Sequence, residues 1–242
     1  MESIVVGVWS IHLGDTGPAG AKLPMHAYVV MNDARTRALY IDAAFAPAVA
    51  VMRALAAEGV EPVGMLLTHR HFVGLADAWS GAMEMLRGAP FLLHPDDAAH
   101  EQARRWGRDT SYEDPVGHSI LREFGVACWH FPGHTAGHVV AHHTPTGVLF
   151  VGDNAMTHAA GSPPIATRPP AAFSTDDVRL QESWAAFDGK PRVLAPFHGL
   201  PLVDPGDEIF AALRSHRQTA ADALVAFQKA ADQQDGKTYI KA

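Results

Sequence analysis

Gly133-His134-Thr135-Ala136-Gly137-His138 follows directly on a short apolar run, Val126 to Phe131 (VACWHF), that reads as a strand ending at Pro132-Gly133. Three other segments share this form, a predicted strand running into metal-competent side chains. They are Thr68-His69-Arg70-His71 after Val63 to Thr68, Gly152-Asp153-Asn154 after Val148 to Val151, and Phe197-His198-Gly199 after Val193 to Pro196. Strand ends hold exposed loops rigidly and are therefore where a mixed scaffold carries chemistry. His69 and His71 lie two apart, which on an extended segment puts both rings on one face. Two imidazoles with a third from elsewhere make a common half-cage for zinc or iron. A lone histidine is more often a core or surface residue than a ligand, and an isolated H-x-H says little. Four such strand ends in one chain say much more.

Composition narrows the setting. The chain has 242 residues, 48% hydrophobic and 19% charged, which is the make-up of a folded globular protein. Cys128 is the only cysteine, so no intrachain disulfide can form. A net charge of −7 and a pI near 6.1 argue against a nucleic-acid partner. No apolar run approaches the roughly 20 residues that span a bilayer, so no membrane partner is expected. Met1-Glu2-Ser3-Ile4 does not begin a signal peptide, and the expected compartment is the cytoplasm. Histidine is the outlier, with 15 copies.

The remaining elements follow from periodicity. Ile4 to Ser10, Met25 to Met31 and Ala38 to Asp42 read as strands, the last two pairing across Asn32-Asp33. Helices are predicted over Ala48 to Glu58, Leu75 to Leu86, Asp96 to Trp106, Asp176 to Phe187 (capped by Ser174-Thr175) and, as one long amphipathic helix, Asp207 to Ala230. Trp106 to Gly117 and Ala160 to Pro170 read as loops, and Phe91 to His94 as a short strand. The order repeats strands then helices, which predicts a single domain over 1–242 with two similar halves, about 1–125 and 126–242. The apolar face of the last helix, with Ile209, Leu213, Ala220, Leu224 and Phe227, is expected to pack on the body or on a second subunit, as in a homodimer.

In this order, H-x-H, G-H-T-x-G-H, G-D and a final H-G resemble the metallo-β-lactamase superfamily, with its glyoxalase II-like thioesterases, lactonases and persulfide dioxygenases. The resemblance runs from His69 to His198. It implies an α/β fold of the αββα sandwich type, with a metal site at one edge of the sheets. It also implies that His69, His71 and His134 are ligands of a first metal, Asp153 a bridging carboxylate, and His198 a ligand of a second metal.

The chain departs from the family at one place. Where the family has H-x-H-x-D-H, this sequence has His69-Arg70-His71-Phe72-Val73-Gly74. In the family that Asp and His serve the second metal, and valine and glycine side chains coordinate nothing. Asp153 and His198 alone are a poor cage for a second ion. The expectation is therefore a mononuclear centre of His69, His71 and His134, with Asp153 as a possible fourth ligand and Asp77 as a remote substitute. The cofactor expected is one divalent metal, zinc before iron or manganese. Asp153 and His198 then become the catalytic pair, orienting water and handling its proton.

Three functions are consistent with this site. The first is hydrolysis of an ester, thioester or lactone of a small-molecule substrate by metal-activated water. The second is mononuclear iron dioxygenation of a persulfide-like substrate, and the third is ligand or partner binding by a degenerate member without turnover. Arg168 is the one residue singled out as able to meet an anionic substrate group. His138 is expected to be structural, Cys128 to be core, and Arg70 to point away from the metal.

Overall fold

The computed structural model describes residues 1–16, 23–74, 76–107, 110–158 and 165–215. In chain order the first part is β1 (Glu2–Val5), β2 (Val8–Thr16), β3 (Leu23–Met31), β4 (Arg37–Ile41), α1 (Ala46–Ala57), β5 (Glu61–Leu66), α2 (Ala76–Met85), β6 (Phe91–Leu92), α3 (Pro95–Ala98), α4 (Glu101–Trp106), β7 (Tyr112–Glu113) and α5 (Ser119–Glu123). Then come β8 (Val126–His130), β9 (Val139–His143), β10 (Val148–Gly152), β11 (Met156–His158), β12 (Ile165–Thr167), α6 (Asp177–Ala186), β13 (Val193–Pro196), β14 (Leu202–Val203) and α7 (Asp207–Arg214). Among the described residues no helix is long and apolar enough to cross a membrane.

Strands β1 to β7 form one sheet in chain order, antiparallel up to β4 and parallel from β4 onward. A second sheet has the order β14-β13-β10-β9-β8, with β10 and β13 parallel. Strand periodicity of two assigns each face. Tyr28, Val30, Leu39 and Ile41 meet Val139, Ala141, Val148 and Phe150 between the sheets. Their neighbours Val29, Met31, Ala38 and Tyr40 point the other way, onto Val49, Met52 and Leu55 of α1 and Trp79 of α2. Leu149 and Val151 likewise face outward, onto Leu180 and Trp184 of α6 and Phe210 and Leu213 of α7. Two sheets packed face to face with helices on both outer faces are the αββα sandwich expected from the sequence.

Several local expectations are corrected. Ile4 to Ser10 is not one strand, because Val6-Gly7 turns the chain between β1 and β2 and Gly7 takes a left-handed φ of 86°. Asp96 to Trp106 breaks into α3 and α4, since the His94 and His100 side chains each cap a new start by accepting from Asp96 N and Gln102 N. Asp176, not Ser174 or Thr175, caps α6, its carboxylate accepting from Arg179 N at 2.9 Å. Within the two predicted loops, Tyr112–Glu113 adds an edge strand beside β6, and Ile165–Thr167 pairs with β11. Of the long C-terminal helix, Asp207–Arg214 is seen; Ala220, Leu224 and Phe227 lie outside the described residues, as does the side chain of Asp77.

Candidate metal centre

The strand ends converge at one edge of the sandwich. β5 leads into His69 and His71, the β8–β9 connection carries His134, β10 leads into Asp153, and β13 leads into His198. β10 and β13 are parallel neighbours whose register shifts between Phe150 and Gly152, so that Gly152 lies opposite Pro196, and Asp153 and His198 leave the sheet within reach of each other. Met25 of β3 bridges to His198, and His26 N donates to Phe197 O at 2.8 Å, so the first sheet also braces this end.

His71 reaches the site differently from the extended geometry expected. His69 is extended, with φ −161° and ψ 170°, but Arg70–Phe72 forms one turn of 3-10 helix. The turn arises because Arg70 is drawn to Asp97, as described below. It still brings the rings together: centroids lie 4.8 Å apart for His69–His71, 4.8 Å for His69–His134 and 5.0 Å for His71–His134. The three ring planes are close to mutually perpendicular, at 84°, 89° and 87°.

These residues fit a divalent cation. One nitrogen from each of the three histidines lies within 4.8 Å of the others. His134 Nε2 and His71 Nδ1 are 3.2 Å apart, and Asp153 Oδ2 lies 3.6 Å from His69 Nε2 and 3.9 Å from His134 Nε2. Donors 2.0–2.1 Å from a tetrahedral zinc are separated by about 3.3 Å. His69 Nε2 is buried and has no hydrogen-bond partner among the described residues. With Asp42 ionised its tautomer suits ligation: the Thr68 hydroxyl then donates to Asp42 Oδ2 at 2.8 Å, so toward His69 Nδ1, 3.1 Å away, it accepts. The ring proton then sits on Nδ1 and Nε2 offers its lone pair.

The electrostatics favour neutral imidazoles around a carboxylate. Burial drives His69 well below the usual histidine range, with His134 and His138 adding to it. Burial also lowers His71 and brings His134 down to about 4. Asp153 behaves oppositely: burial opposes its ionisation, but His198 beside it, then His134 and His138, hold it down to about 2. His198 Nδ1 lies 2.6 Å from Asp153 Oδ1. Burial lowers the His198 pKa, yet the Asp153 charge and this hydrogen bond raise it further, so the net direction is upward. Burial raises Asp42 to about 8. A dication among the histidines favours its ionised form.

At the positions where the resembled family carries its second ligand pair, Val73 and Gly74 offer no metal-competent side chain. Val73 is fully buried in the core of α1 and α2. Gly74 has φ +71°, and a Cβ added there would overlap the Cβ of Trp106. Phe72 and Phe197, with ring centroids 4.4 Å apart, form an apolar wall against His69 and His198.

Other histidines and polar groups have different roles. His138 stacks on His69 at 14° and faces Asn154 Nδ2 at 2.9 Å. Asn154 in turn is held by Trp184 Nε1 donating to its carbonyl at 3.0 Å. His94, Asp96 and His130 also bring possible ligand atoms within 4.8 Å. There, however, the two rings stack 3.9 Å apart at 12°, so their in-plane lone pairs run parallel and do not converge. His130 Nε2 also faces Ala136 O at 2.8 Å. Arg168 donates to Leu213 O at 3.0 Å, which commits it to α7 and not to an open substrate surface. Cys128 is buried between the sheets.

Two polar residues were not singled out from the sequence. Asp42 ends β4 and meets the strand-end criterion applied to the other segments, so it was findable. Asp97 follows Asp96 in the first turn of α3, and nothing in the sequence distinguishes the buried carboxylate from its exposed neighbour.

No family model matches the chain. Solved structures do resemble it. The BLEG-1 B3 metallo-β-lactamase aligns with a TM-score of 0.54 and 24% identity over 81% of this chain and 93% of its own. A di-iron-bound form of the protein TTHA1623 aligns at 0.52 and 24% identity, over 78% and 92%. The metallo-β-lactamase FIM-1 from Pseudomonas aeruginosa, in its mono-zinc form, aligns at 0.62 and 18% identity, over 92% and 94%. At such identities the likeness is one of architecture, and it extends over nearly the whole of both chains in the last case: this chain has the metallo-β-lactamase fold.

Proposed function

We propose that this protein is a metal-dependent hydrolase that opens an ester, thioester or lactone of a small molecule, using one divalent cation, zinc, held by His69, His71 and His134, with the Asp153 carboxylate beside it and a position left for water. The observation that carries this reading is the convergence of three histidine nitrogens beside Asp153; Val73 and Gly74, at the positions of the second ligand pair, supply no further donor. When bound, such a cation supplies Lewis acidity toward a carbonyl and lowers the pKa of water toward 7.

The chain's own residues supply the rest. Asp153, ionised over the whole neutral range, would orient the attacking water by accepting its hydrogen bond; it is too weak a base to store the proton, which would pass to solvent as the water ionises before attack, solvent likewise reprotonating His198 after turnover. His198, held against Asp153 and biased toward its protonated form, donates a proton to the leaving oxygen or sulfur. The wall of Phe72 and Phe197 keeps water from the far side of this pair. β-Lactam hydrolysis does not follow from the fold, which hosts many chemistries.

Elemental analysis of the purified protein, followed by assay on thioester and lactone panels, tests the reading. One zinc per chain and zinc-dependent cleavage are expected. Two ions per chain overturn the mononuclear centre. Iron with oxygen uptake, the alternative that the di-iron relative brings to mind, overturns the hydrolase.

A further inference from the structure

Asp97 sits in α3, outside the metal cluster, and its side chain is fully buried. A buried carboxylate needs donors, and this one has four. Oδ1 accepts from Arg70 Nη1 and from Gly137 N, both at 2.9 Å. Oδ2 accepts from Arg70 N at 2.9 Å and Thr135 Oγ1 at 2.6 Å. Arg70 lies between His69 and His71, while Thr135 and Gly137 flank the connection that carries His134. One carboxylate therefore joins the two loops that hold the three imidazoles. The Arg70 guanidinium extends the tie: its Nη2 lies 3.4 Å from Thr175 Oγ1, and Thr175 donates from both N and Oγ1 to His134 O, at 3.0 and 3.1 Å. Gly137 is glycine for the same reason, since a Cβ there would come within 2.5 Å of Asp97 N.

We propose that Asp97 is a positioning residue for the metal centre, its carboxylate fixing the spacing between the His69–His71 turn and His134. This rests on the reading that those histidines hold the cation. It differs from a plain structural role. A mere strut would stabilise metal-free and metal-loaded protein alike, whereas a positioning residue stabilises the loaded form more. Groups that orient metal ligands in this way typically cost 10–100-fold in metal affinity when removed.

Asp97→Asn replaces one acceptor oxygen by an amide that faces a donor, and Thr135→Val removes a single donor on the His134 side only. Zinc affinity by competition with a chromophoric chelator, and thermal unfolding with and without zinc, are measured for both variants and the parent. Zinc binding weaker by about 10–100-fold in Asp97→Asn is expected, with a smaller loss in Thr135→Val and a reduced zinc-induced rise in Tm for each. Parental zinc affinity in both variants, whatever their metal-free stability, overturns the proposal. If Asp97→Asn does not fold, Thr135→Val decides alone, parental affinity again overturning it. A parent protein that binds no zinc overturns the proposed function as well, which separates the two failures.

Discussion

Replacing Gly74 by alanine measures how tightly Trp106 is packed over the turn that follows His71. Two costs are expected. A non-glycine residue at φ +71° carries a left-handed backbone penalty of about 1–2 kcal/mol. The added Cβ also overlaps the Cβ of Trp106. Overpacking of this kind costs about 1–3 kcal/mol. Together they give about 2–5 kcal/mol, or a fall in Tm of roughly 4–20 °C for a chain of this size. Gly59 supplies the control, because its φ of +88° is similar but nothing lies within 4 Å of a Cβ built there. Gly59→Ala carries the backbone cost alone, so the difference between the two variants isolates the Trp106 contact at about 1–3 kcal/mol. Urea and thermal unfolding of both variants, with metal content determined alongside, read this directly. Equal destabilisation of the two variants would show that Trp106 is not seated over Gly74.

Two further outcomes follow from the charges at the site. Asp153→Asn keeps the shape but removes the carboxylate, so turnover should drop by about 100-fold or more while zinc is retained with weaker affinity; His198 should also titrate lower, visible by NMR, and full turnover would refute the role given to Asp153. In the metal-free protein, burial holds His134 at about 4 and His138 at about 3 against an unfolded value of 6.5, so the unfolded chain takes up protons the fold refuses and stability falls as pH drops from 6.5 toward 4. Asp42, raised to about 8 from 3.8, acts in the opposite sense and loses stabilisation as pH rises from about 3.8 to 8, one carboxyl against the two histidines below pH 6.5; His198 adds to the loss above 6.5. Stability of the metal-free protein should therefore peak near pH 6.5, and a monotonic change between pH 4 and 8 would refute this balance.

The strands were readable as short apolar runs, because both faces of each sheet are covered, and the sandwich followed from the resemblance carried by the strand-end motifs. Leu39 and Ile41 face one core while Ala38 and Tyr40 face another, and that pattern is local. The five clustered side chains were readable because each ends a strand beside turn chemistry. What escaped depends on contacts distant in sequence or on a residue type put to an unexpected local use. The 3-10 turn at Arg70–Phe72 is set by Asp97, 27 residues on. The break between α3 and α4 depends on histidines acting as caps, a use that competes with every other reading of a histidine. Arg168 could not be placed from the sequence, since its partner is a carbonyl 45 residues away.

The clustered side chains are drawn from both layers of the sandwich: His69 and His71 follow the first sheet, and His134, Asp153 and His198 belong to the second. Neither half of the chain alone presents a complete set of donors, so an ion can be gripped only after the layers have docked. Capture of an ion would then come late in folding, and a bound ion would tie the two layers together, so zinc should slow unfolding as well as raise Tm.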